Sequence, residues 1–209
     1  MIFAAIGHIN GGQNALLSVL DAIADEGMFT ILHTGNAVTG PGDPNEIITL
    51  LADRGVVCVQ GTLDRLVVRY SRKRESMDSR LDAVTRDAVR DAHERLSSQN
   101  LERLRDWRKS LAFPLEDLTG FLCHGSPGNP RELITPDTPM FKLQRQRETA
   151  HADIVVCGGS ESPFDRMVDG ALFVHPGSLM AGTDTARYTL IDTESTPWKA
   201  SVTSVACQG

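Results

Sequence analysis

Short apolar runs that break off at a glycine or histidine recur along this chain, and they dictate a layered fold. Ile2 to Ile6 reads as a buried strand that stops at Gly7-His8-Ile9-Asn10. Gln13 to Glu26 follows as a helix, with Leu16, Val19, Leu20 and Ile23 on one face at helical spacing. A second strand, Phe29 to His33, leads through a Gly-rich loop to Asp43-Pro44-Asn45-Glu46. There Asp43 is placed to cap, Pro44 to take the first helical position and Glu46 to complete a capping box, with the helix running to about Arg54. Val56 to Val59 is a third short strand, so strand and helix alternate in the manner of a parallel sheet.

From about Leu66 to Lys109 the composition shifts to a charged helical stretch with few breakers, a helical subregion of about 66–110 within one domain spanning 1–209. The cations Arg65, Arg69, Arg72, Lys73 and Arg74 read as a solvated helix face, because acidic residues follow at once. Leu101, Leu104, Trp107 and Leu111 fall at helical spacing and read as the stripe that docks this segment. After Pro114, strand-like runs return at Gly120 to Cys123, Ile154 to Cys157, Leu172 to Val174, Arg187 to Ile191 and Ala200 to Val205. An α/β β-sandwich flanked by helices accommodates both halves, with polar loops gathered at the carboxyl ends of the strands.

The formal charge of -6 argues against a nucleic-acid surface, since phosphate binding rests on clustered cations. No stretch approaches the roughly 20 apolar residues of a membrane span, and the N-terminal run is too short for a signal peptide, so a cytoplasmic protein is expected. Cys58, Cys123, Cys157 and Cys207 lack CxxC spacing and read as reduced thiols, mostly buried. Ser126 stands near His124 without the G-x-S-x-G elbow of a nucleophile. His8, His33, His124 and His175 all lie near strand ends. Independent satisfaction by backbone groups is the favoured expectation, and convergence would instead create a pocket for an anion or a transition metal.

The strand-end blocks read Gly7-His8-Ile9-Asn10, Gly35-Asn36, Gly61-Thr62-Leu63-Asp64, His124-Gly125, Gly158-Gly159-Ser160-Glu161 and His175-Pro176-Gly177-Ser178, with Ala186-Arg187-Tyr188-Thr189-Leu190-Ile191-Asp192 closing the series. In order and spacing they resemble the motifs of the calcineurin-like metallophosphoesterase superfamily, especially its small bacterial and archaeal phosphodiesterase branch related to the retromer scaffold subunit. The resemblance implies a four-layer α-β-β-α sandwich. It also implies two adjacent divalent cations that clamp a phosphoryl group and generate a hydroxide nucleophile.

By that resemblance His8, Asn10, Asn36 and Glu161 stand at the first metal's positions, and Asn36, Thr62, His124 and Gly159 at the second's. Asn36 replaces the bridging carboxylate, and an amide does not offset repulsion between paired cations. Leu63 stands where the family carries the histidine that protonates the leaving group or holds phosphate, leaving Asp64 to cap a turn or pair with Arg65. A binuclear centre and a metal cofactor are therefore not expected. What remains is a pocket of His8, Asn10, Asn36, Thr62, Asp64, His124, Gly159, Glu161 and His175 in a degenerate, non-catalytic binding or scaffold module. It would act as a homodimer, with an unidentified protein partner or on a small anionic ligand. The alternatives are a hydrolase using one Mn, Zn, Ni or Fe ion at His8, Asn10, Asn36 and Glu161, and a sensor of an anionic ligand.

Overall fold

The structure is a computed structural model that describes residues 1–180 and 184–207. In chain order its elements are β1 (Ile2–Ile6), α1 (Gln13–Asp25), β2 (Ile31–His33), α2 (Pro44–Asp53), β3 (Val57–Cys58), α3 (Thr62–Asp78), α4 (Ala83–Arg95) and α5 (Ser98–Asp106). The second half adds β4 (Ser110–Leu115), β5 (Leu118–Cys123), α6 (Met140–Ala150), β6 (Ile154–Cys157), β7 (Phe164–Val168), β8 (Ala171–His175), β9 (Thr185–Asp192) and β10 (Lys199–Ala206). The strands form two five-stranded sheets, ordered β10-β9-β1-β2-β3 and β4-β5-β6-β8-β7. In the first, β1, β2 and β3 run parallel and β9 and β10 add antiparallel. In the second, β5, β6 and β8 run parallel between antiparallel edges.

Strand alternation builds the layers, because successive side chains point to opposite faces of a sheet. Phe3 and Ala5 of β1 face inward with Leu32 and Ile191, meeting Leu122, Ile154, Val156, Leu172 and Val174 of the other sheet. Ala4 and Ile6 face the other way and pack with Leu16, Val19, Leu20 and Ile23 of α1. Across the molecule, Leu143 and Ala150 of α6 cover Val155, Cys157 and Phe173. Each fully buried Leu, Ile or Phe contributes about 1.5–3 kcal/mol, so these three clusters define a four-layer α-β-β-α sandwich, the expected class.

Several boundaries differ from the sequence expectation for identifiable reasons. The second strand begins at Ile31, and Phe29 is 90% exposed in the turn before it. The helical region begins at Thr62 because Asp64 caps it, earlier than Leu66. It ends at Asp106, where Trp107 turns extended, so Leu111 belongs to β4 and packs between the sheets. Leu104 does anchor the helices, with Leu101 and Trp107 beside it. Strand β4 went unread because Pro114 looked like a break, yet an edge strand tolerates proline. Asp43 caps α2 by accepting from the Asn45 N–H at 2.8 Å, but no reciprocal box forms. Glu46 is instead bonded by the Gln13 side chain, whose Oε1 accepts from the Asp43 N–H at 3.1 Å, tying α1 to α2. All four cysteines are free, Cys123 and Cys157 buried and Cys58 and Cys207 partly so. Among the described residues no helix is long and apolar enough to cross a membrane.

Candidate functional site

The loops after β1, β2, β3, β5, β6 and β8 meet at one end of the sandwich. The Asn36 carbonyl accepts from the Ile9 and Asn10 N–H groups at 3.1 and 3.0 Å, and the His8 carbonyl accepts from the Leu179 N–H at 2.8 Å. This interlocking brings most of the sequence-selected residues into one region.

Three of the four histidines, His8, His124 and His175, are both clustered and bonded to backbone, where the sequence offered these as alternatives. His8 and His124 lie with ring centroids 5.3 Å apart. His8 Nε2 accepts from the Gly159 N–H at 2.9 Å. His124 Nδ1 lies 2.8 Å from the Thr34 carbonyl and must donate to it, which leaves Nε2 as a lone pair. Both His175 ring nitrogens face backbone N–H groups, Nε2 that of Ser160 at 2.9 Å and Nδ1 that of Gly177 at 3.0 Å, of which a neutral ring accepts one, and the ring stacks on Phe164 at 5.5 Å. His33 is buried edge-on to Trp107, and neither ring nitrogen makes a well-directed hydrogen bond.

Burial, with His124 and His175 behind it, pushes His8 down to about 3. Burial, then His8 and His124, takes His33 to about 3, and burial lowers His175 to about 4. His124 is lowered by burial as well. The four rings are therefore neutral at physiological pH and offer hydrogen bonds and lone pairs rather than positive charge.

Asp64 is fully buried and accepts from the Asn36, Ala37 and Gly61 N–H groups at 2.7, 3.0 and 2.8 Å. It caps a turn, one of the two roles expected for it, and it makes no ion pair with Arg65 among the described contacts. Asn36 sits in the left-handed region at φ 64, which asparagine tolerates, and its Oδ1 accepts from the Leu63 N–H at 3.0 Å. Leu63 packs against the helical core. Asn10 is exposed at φ 47, and Thr62 lies at the mouth with Arg65 Nη2 3.4 Å from its hydroxyl.

These residues do not fit a pair of divalent cations. Asn36 Oδ1 and His8 Nε2 are already engaged with backbone N–H groups. Glu161 is 77% exposed and reaches His8 Nδ1 only at 3.9 Å. At Gly159, φ is +97, which strains any other residue there, and an added Cβ would lie 2.4 Å from Leu133 Cδ2, whose half-exposed side chain would have to swing aside. Among the described residues no group of three or more His, Cys, Asp or Glu is arranged to hold a metal.

Leu133 and Thr34 escaped sequence reasoning. Leu133 lies outside every motif, and Thr34 acts through its carbonyl, which any residue carries.

Fold and strand-end loops together define a metallophosphoesterase-type domain. The calcineurin-like phosphoesterase superfamily domain matches residues 7–196, and the chain belongs to that family. Its fold is similar to that of a hypothetical protein from Pyrococcus horikoshii, with a TM-score of 0.84, 22% identity, and 99% of this chain and 88% of that one covered. A metallophosphoesterase from Sphaerobacter thermophilus is similar at a TM-score of 0.75 and 19% identity, covering 100% and 89%. Vacuolar Protein Sorting 29 from Cryptosporidium parvum is similar at 0.56 and 13% identity, covering 98% and 97%.

Proposed function

We propose that this chain is a catalytically silent metallophosphoesterase-fold protein that works as a binding or scaffold module. The observation that carries this reading is the donor set: Asn36 Oδ1 and His8 Nε2 already accept from backbone N–H groups, and position 159 is a glycine with no side chain to ligate. The neutral, backbone-bonded state of His8 and His175 supports it, because lone pairs already accepting N–H groups are poor starting points for coordination. Fold by itself leaves function to the site. A mononuclear hydrolase at His8, Asn10, Asn36 and Glu161 draws its support from the approach of His8 to Glu161.

Elemental analysis of the purified, dialysed protein tests the proposal, together with turnover of an aryl phosphodiester in Mn, Ni, Co or Zn. Substoichiometric metal and no turnover are expected. Two tightly held ions per chain, or turnover abolished in a Glu161→Ala variant, would overturn it.

A further inference from the structure

Five cations of the Arg65 to Arg74 run read from sequence as one solvated face, but the structure divides them. Arg65 and Arg69, one helical turn apart on α3, line a cavity of about 230 Å³ with Lys109, just before β4, and Arg131, from the loop after β5. Thr62, the first residue of α3, Leu66 and Pro130 complete its wall. Among the described residues none of these four cations forms an ion pair. Asp64 lies close enough to favour the charge of Arg65, but its carboxylate forms no ion pair with it and accepts from three backbone N–H groups. Arg69 and Arg131 sit close enough to Arg65 to disfavour its charge, after burial.

Four cations without an ion-pair partner among the described residues gather in one hollow, and they stand out in a chain whose net charge is -6. We infer that this hollow is a binding site for the phosphate group of a small phosphorylated ligand, beside the old metal centre and independent of any metal. Guanidinium forks match phosphate oxygens in pairs, whereas a lysine contributes a point charge. The cavity is smaller than the roughly 300–1,000 Å³ of pockets that enclose drug-sized ligands, so it takes the anionic head and leaves the rest of the ligand outside. This names a ligand class for the binding-module reading but does not depend on it.

The test is isothermal titration of protein stripped of metal by chelation, at fixed ionic strength, with inorganic phosphate, AMP and a short single-stranded oligonucleotide as separate probes. Saturable binding of phosphate and AMP at one site per chain is expected. Arg69 and Arg131 are exposed, so an Arg69→Gln, Arg131→Gln double variant should fold as judged by circular dichroism, and should bind at least about tenfold more weakly for each charge-assisted bond removed. Arg145→Gln, in a different cavity, should bind like the parent. Absence of saturable binding, equal loss in the Arg145 variant, or binding confined to the oligonucleotide would each overturn the inference. Metal content measured on the same preparation judges the catalytic reading separately.

Discussion

Asp64 occupies a position that in an active relative would orient a catalytic histidine, and here it holds three backbone N–H groups in a site without solvent. Asp64→Asn tests whether the residue is architectural. The amide oxygen can accept at most two of the three donors, and its NH2 is forced against the third. One charge-assisted bond is lost at about 1.5–3 kcal/mol, and a buried donor left unpaired adds about 1–3 kcal/mol. A total of about 2.5–6 kcal/mol is a large share of the roughly 5–15 kcal/mol that holds a domain together. At about 2–4 °C per kcal/mol for a chain of this length, the melting temperature should fall by at least about 5 °C. Differential scanning calorimetry measures it, with the exposed Asp53→Asn as a control expected within about 0.5 kcal/mol of the parent. An Asp64→Asn protein that melts within about 2 °C of the parent would refute the capping account.

Acidification should destabilise the protein well before ordinary carboxylates protonate. Unfolded histidines titrate near 6.5, whereas folded His8 and His33 titrate near 3 and His175 near 4. Between those values the unfolded chain binds more protons, so this stability is intact above about pH 6.5 and is lost as pH falls, by up to about 4 kcal/mol per pH unit for three such rings. Urea midpoints at pH 7.5, 6 and 5 report it, and a flat profile would contradict the burial of these rings. His33→Leu removes a ring with no well-directed partner, so stability at pH 7 should hold or rise and the pH slope should shrink by roughly one proton's worth, about 1.4 kcal/mol per pH unit. Gly159→His alone should cost about 2–4 kcal/mol, from a strained positive φ and overpacking against Leu133, and should gain no metal; calorimetry and elemental analysis read both.

The architecture was legible because strand-end glycines and continuous apolar runs carry it. Ile2 to Ile6, Ile154 to Cys157 and the face of α1 appear where their patterns place them. What escaped was set by tertiary context. Strand β7, Phe164–Val168, mixes charged and apolar residues because it is an edge, and α6 shows a polar sequence with little more than Leu143, Gln146 and Ala150 turned inward. Glu46 satisfied a local capping rule, yet Gln13, thirty-three residues earlier, reached it first. At the site, motif positions located His8, His124, Gly159 and His175 near one another, but which ring nitrogen faces which backbone group depends on loops that are distant in sequence. The cationic hollow was invisible for the same reason, since Lys109 and Arg131 lie far along the chain from α3.

The contact between Leu133 and Gly159 also makes the order of genetic change matter. Leu133 is 47% exposed, so trimming it first is nearly free, whereas placing an imidazole at 159 first meets occupied space. A lineage carrying this pair regains a ligand at 159 at lower cost if 133 is trimmed first, since otherwise the exposed end of Leu133 must swing aside. Libraries that randomise the old metal positions should therefore vary 133 as well.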